Sequence, residues 1–209
     1  MSEKRRQATP QEVRERIDTI RNERARLCFR FQYLTASRIG EVVGSTGATA
    51  DDYQRTTYQE HEVALFMVKR EKTPEQGQRI SAIALPLDAK YEPWTKSLVE
   101  LFERTPRGQC VFQVTTRAAQ MWAQGYEEAQ GAFNNLWYWV DPYGQVRGHW
   151  KQLSTHGLRH IRPTELMTRY GFDGIDLAIY CGWSLGREVA MPKVATRYLY
   201  GQWIRYFPK

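Results

Sequence analysis

Cysteine is scarce in this chain. Cys28, Cys110 and Cys181 are scattered, odd in number and never in a Cys-x-x-Cys pair. That usage argues against a disulfide framework or a zinc site and points to a reducing compartment. No apolar run approaches the length of a membrane span, and the amino terminus is charged rather than signal-like. A cytoplasmic protein with no membrane partner is the expectation. The sequence also lacks a P-loop, a carboxylate cluster and a His/Cys pattern with metal-ligand spacing. Its chemistry is therefore expected to need neither nucleotide nor metal, and no cofactor is implied. Neither an internal repeat nor a low-complexity tract is visible.

What is present is positive charge on an ordinary globular composition. The 209 residues suit one domain with a sizeable core, and 42% of them are hydrophobic. The net charge of +7 and a pI near 9.4 favour a polyanionic partner. Charge alone leaves that reading level with a merely basic soluble protein.

Residues 1–8 are polar and read as a flexible N-terminal segment. Thr9-Pro10-Gln11-Glu12 reads as a capped helix start, followed by Val13, Ile17 and Ile20 at helical spacing. A second helix runs through Leu27, Phe31 and Leu34, with Thr35-Ala36-Ser37 as a break. Arg38 to Val43 opens a third, which places Arg38 near a helix start that favours an anion. Residues 45–57 read as loop. Val63 to Val68 and Ile80 to Leu87 read as paired strands, with Lys69-Arg70-Glu71-Lys72 beginning a charged turn between them. Tyr91 to Arg104 and Arg117 to Gln130 read as helices, and Val111 to Val114 as a short strand. Phe133 to Val140 is ambiguous, and Asp141-Pro142-Tyr143-Gly144 is a turn. Ser154 or Thr155 caps a helix carrying His156 and Arg159, and Asp173 to Ile179 forms another. The layout is α+β, mostly helical with a small antiparallel sheet.

One constellation outweighs the rest: Arg38, then His156 and Arg159, then Gly182-Trp183, then Tyr198. Arginine offers a planar, always-charged fork that gives two parallel hydrogen bonds to phosphate oxygens. Tyrosine offers a hydroxyl that can become covalently linked to phosphorus. Read singly, each arginine is as well explained as a surface charge. A histidine is often held in a core by a backbone carbonyl, and tyrosine occurs 12 times in this chain. His156 and Arg159, three apart, are expected to share a helix face, with His160 pointing elsewhere. His61 and His149 have no supporting pattern.

The blocks resemble the catalytic domain of the tyrosine recombinases, the phage-integrase family. Thr35-Ala36-Ser37-Arg38-Ile39-Gly40-Glu41 is similar to that family's first arginine box, with alanine for glycine. His156-Gly157-Leu158-Arg159-His160 is similar to its second, Gly182-Trp183 to its third, and Thr196-Arg197-Tyr198 to its nucleophile context. Any one box is weak; the four in order, over residues 9–205, are specific. Three departures stand out. Arg162-Pro163 falls where the family has a small helical run. The stretch from Trp183 to Tyr198 is long. The small N-terminal domain that clamps DNA from the other side in that family is expected to be missing. Trp183 and the Thr164-Glu165-Leu166 run look most like archaeal or mobile-element integrases.

The resemblance implies a tyrosine-recombinase catalytic domain over residues 9–209, without an N-terminal core-binding domain. It implies a site-specific recombinase that cleaves and rejoins DNA through a 3′-phosphotyrosine. Arg38 and Arg159 would clamp the scissile phosphate, where charge builds in the transition state. His156 would donate to a phosphate oxygen or assist proton transfer, and Trp183 would donate its indole N–H. Lys72 is the choice for general acid and Lys69 the alternative, against a plain solvated turn. Glu41 would brace Arg38 or a histidine. Tyr198 is the nucleophile and Tyr200 its competitor. The implied partners are double-stranded DNA attachment sites and three further copies in a homo-tetramer on DNA, the free chain being a monomer. The implied setting is nucleoid-associated, with a viral, plasmid or chromosomal gene. The rival readings are a catalytically silent DNA-binding module of the same fold and a type IB topoisomerase-like relaxing activity.

Overall fold

The computed structural model describes residues 8–71, 80–123, 138–140, 146–149, 154–183 and 205–206, with backbone alone for 138–140 and 146–149. The expected helix start is present. Thr9 caps α1 (Pro10–Asp18) by accepting from the Glu12 N–H at 3.2 Å, while Glu12 accepts from the Thr9 N–H at 2.9 Å. Val13 and Ile17 then face the core. The second helix, α2 (Glu23–Leu34), begins at Asn22, whose side chain accepts from Ala25 N–H. It is buried on nearly every side, as a central helix must be. Its Phe31 meets Phe66, Phe102 and Phe112 with ring centres 5.2–5.7 Å apart, which ties several segments to one aromatic cluster.

α2 ends in a Schellman motif. Ser37 N–H bonds to Gln32 C=O and Ala36 N–H to Tyr33 C=O, with Ala36 left-handed at φ 48°. The turn delivers the chain into α3 (Ile39–Val42), with Arg38 at its N-cap.

The expected hairpin is β2 (His61–Lys69) with β3 (Ile80–Pro86), antiparallel with Phe66 opposite Ile83. A strand absent from the sequence reading lies on the other side of β2. It is β1 (Tyr53–Tyr58), paired Tyr53 to Phe66 and preceded by a short 3-10 turn at Ala50–Asp52. As an edge strand it is mostly solvent-facing, so its sequence shows no apolar alternation. Val111–Val114, expected as a strand, forms none. It hydrogen-bonds instead to residues 44–48, beside an isolated bridge between Thr49 and Cys110.

α4 is shorter than expected, Thr95–Arg104 rather than from Tyr91. Pro93 disfavours helical backbone at Glu92, so the helix starts beyond it. α5 is Thr116–Ala123, and the rest of its expected span lies outside the described residues. Two short strands follow, β4 (Tyr138–Val140) and β5 (Val146–His149), which pair antiparallel. α6 (Thr155–Tyr170) is capped by Ser154, whose side chain accepts from Gly157 N–H at 3.1 Å. Arg162-Pro163 does not end this helix; Pro163 lies within it. α7 (Gly174–Cys181) is capped by Asp173 and closes in a second Schellman motif at Gly182 and Trp183. α6 packs on α1 and α2, and α7 packs on β3.

Arg162, beside Pro163, is the centre of a buried cluster. It is fully buried, and joins Glu165, Glu92, Arg14 and the Tyr206 hydroxyl in one ionic network. Arg14 takes Glu92 and Glu165 with forked bonds of 2.7–3.1 Å. α1, the lead-in to α4, α6 and the chain near its end are thus pinned together. The architecture among the described residues is α+β: seven α-helices, a three-stranded antiparallel sheet and a two-stranded one. None of these helices is long and apolar enough to cross a membrane.

Candidate active site

Glu41 organises the candidate site. Three residues separate it from Arg38, one turn of α3, so its carboxylate reaches back to both the Arg38 N–H (2.9 Å) and Arg38 Nη1 (2.8 Å). The anion at this helix start is therefore the chain's own carboxylate. The same group accepts from Arg70 Nη1 at 2.8 Å, Arg159 Nη1 at 3.4 Å and the Glu71 N–H at 3.3 Å. Three guanidinium groups converge on the Glu41 carboxylate, and the Glu71 carboxylate packs against Gly40 beside them.

Each of those arginines arrives by a different route. Arg38 comes from the turn after α2, Arg159 from the inward face of α6 and Arg70 from the residue after β2. The C-terminal ends of α2 and α7 supply the carbonyls that hold two of them. Arg70 Nη2 donates to Thr35 and Tyr180 C=O, while Arg159 donates through Nη1 to Ala36 C=O at 2.8 Å and Nη2 to Cys181 C=O at 2.6 Å. Carbonyls left over at helix ends are natural partners for cations. Arg70 also donates to Ser81 Oγ at 3.0 Å and Ser37 Oγ at 3.3 Å.

Gly182 makes this close packing possible. It is left-handed at φ 65°, and a Cβ there would lie 2.8 Å from Arg70 Cγ. Glycine meets both demands without cost.

Electrostatics follow from this packing. Burial raises the Glu41 carboxyl, but the charge of Arg70 and the hydrogen bond from the Arg38 backbone outweigh it and hold the group below its ordinary value. Arg159 is 2% exposed, and burial, with Arg70 adding repulsion, pushes it down to about 10. It remains charged at neutral pH. Arg70 is 5% exposed, whereas the Arg38 side chain keeps 24% of its surface, so Arg38 presents the charge to solvent.

The other sequence candidates divide. Trp183 is 41% exposed at the end of α7, directly after the turn that packs on Arg70. His156 is exposed while Arg159 is buried, although their three-residue spacing on α6 makes them neighbours on its surface. The ring beside His156 is instead that of His160, one helical turn on, with centres 4.6 Å apart. Lys69 stands apart from the arginine cluster, half-exposed and paired with Asp52 at 2.8 Å. Strand alternation turns it away from the side that Arg70 takes. Lys72, Tyr198 and Tyr200 lie outside the described residues.

Arg70 was missed in the sequence because it sits in a charged run. Its signal is the period of two: Phe66, Val68 and Arg70 are buried, whereas Met67 and Lys69 are exposed.

No protein-family description matches the sequence, and no curated protein matches it. Among solved structures the chain is similar to a lambda integrase, in the crystal structure of a tetramer bound to a Holliday junction. Identity is 14% and the TM-score 0.47, over 93% of this chain and 52% of the other. The chain thus spans about half the length of that protein.

Proposed function

We propose that the chain is a DNA strand transferase of the tyrosine-recombinase type. The observation that carries this reading is the convergence of Arg38, Arg70 and Arg159 on Glu41. A fixed cationic cluster stabilises a phosphodiester most when charge builds on its oxygens, and losing one such donor costs roughly 3–4 kcal/mol. Arg38 faces solvent and meets the phosphate first. Arg159, buried behind it, contributes a field held in place by helix-end carbonyls. Tyr198 gives its phenolic proton to His156 and attacks phosphorus, the bond to the 5′ oxygen breaks and Lys72 protonates the departing oxygen. The 3′-phosphotyrosine conserves the bond energy for rejoining.

A duplex nicked near the cleavage point tests this, because the short leaving strand diffuses away and the adduct persists. A covalent protein–DNA band on a denaturing gel is expected, and Tyr198→Phe abolishes it. Loss of the band in Tyr200→Phe instead would transfer the nucleophile to that residue.

The burial of Arg159 and Arg70 favours one other reading, in which the cluster is architectural and the chain only binds DNA. That reading gives salt-sensitive duplex binding with no adduct on any attachment-site substrate.

A further inference from the structure

We propose that His156 and His160 form a two-ligand site for a divalent transition metal of the imidazole-preferring kind, such as zinc or nickel, on the solvent face of α6. The sequence shows no multi-ligand metal spacing, but the helix makes a site from this pair alone. Residues four apart stand one above the other, as in helical motifs where two histidines hold zinc. Both side chains are exposed, and their rings are 4.6 Å apart at 83° to each other. Two imidazoles sharing one ion at about 2.1 Å from each nitrogen bring their ring centres to about 4.5–5 Å. The observed separation lies in that range; the rings stand edge to face, so binding requires both to turn until one nitrogen of each faces a shared point.

The backbone between them is helical and packed against the core. Ser154 caps the helix, and Gly157, Leu158 and Arg159 are buried beneath the pair. Among the described residues no group of three or more His, Cys, Asp or Glu side chains adds a further ligand. The described residues thus supply two positions, and water or an anionic oxygen takes the others. Such a site binds reversibly and prefers the metals late in the divalent series. On the reading that His156 serves strand cleavage, an ion there would block it.

The untagged full-length chain on immobilised nickel, and zinc chloride titrated into it by calorimetry, test the proposal. Retention on nickel and one zinc per chain are expected. His156→Ala and His160→Ala should each weaken zinc binding at least tenfold, while the double variant His61→Ala/His149→Ala binds as the parent does. Circular dichroism confirms that each variant is folded. Failure to bind either metal, or binding unchanged in His160→Ala, overturns the site. Adduct trapping in the presence of EDTA reports on strand cleavage separately, so one idea can fail while the other stands.

Discussion

Glu41 has the most exacting position in the chain. It is 2% exposed, and its two oxygens serve three guanidinium groups and two backbone N–H groups. A buried ion pair adds little net stability, but removing one partner strands the others in a medium that cannot solvate them. Glu41→Gln keeps the shape and deletes the charge. The expected loss is about 3–5 kcal/mol, measured by urea denaturation. A change below about 1 kcal/mol, within the range of exposed pairs, would show that water reaches the cluster and neutralises it. Arg70 is equally constrained, because its fork reaches acceptors on four segments, which an ammonium group cannot reproduce.

The β1–β2 hairpin offers a cleaner test of local backbone energetics. Tyr58 pairs with His61, leaving the two-residue loop Gln59-Glu60 with φ of 43° and 69°. Two positive φ values in a two-residue loop are the demand that Asn-Gly satisfies best. Both side chains are exposed, so nothing is lost in packing by replacing them. Gln59→Asn combined with Glu60→Gly should stabilise by about 1 kcal/mol, from the left-handed penalty relieved. For a chain of this length that raises Tm by roughly 2–4 °C, readable in a thermal melt. The Schellman turn at Ala36 poses the same conflict at φ 48°, but there the methyl is fully buried. Glycine would relieve strain and lose packing together, so the exposed hairpin isolates the backbone effect.

Acid should unfold the molecule through its second ionic network. Burial raises the Glu165 carboxyl, but Arg162 and Arg14 outweigh it and hold the group at about 2. Unfolded, a glutamate titrates near 4.3. Below about pH 5 the unfolded chain therefore binds protons that the folded chain refuses, and stability falls until the pH passes about 2. Above pH 5 this contribution is complete. Denaturation midpoints measured between pH 7 and pH 2 should decline over that window, and Glu165→Gln should flatten the decline while lowering stability at neutral pH. A flat profile in the parent chain would mean that Arg162 and Arg14 do not hold Glu165 ionised. Because the network joins α1, the approach to α4, α6 and Tyr206, its loss loosens the assembly of helices as a unit.

The chain's short-range patterns carried much of this. Thr9 with Glu12, and Ser154 ahead of α6, announce helix starts because a cap and its target lie three residues apart. The alternating residues of β2 and β3, and hence the α+β layout, are legible for the same reason. So is the Arg38–Glu41 contact, one helical turn long. Other features needed the assembled fold. Arg70 looks like part of a charged hairpin turn until β2 points it inward to carbonyls at Thr35 and Tyr180, the latter 110 residues away in sequence. Arg162, which looks like a helix-breaking neighbour of Pro163, is buried because Glu92 and Tyr206 come from distant segments. That Arg159 is buried while His156 and His160 stay exposed depends on which side of α6 packs against α1 and α2. Local spacing chooses elements, because its energies act within a turn or a strand pair. Convergence of charges from distant segments depends on which faces the fold brings together, which no local pattern in the chain encodes.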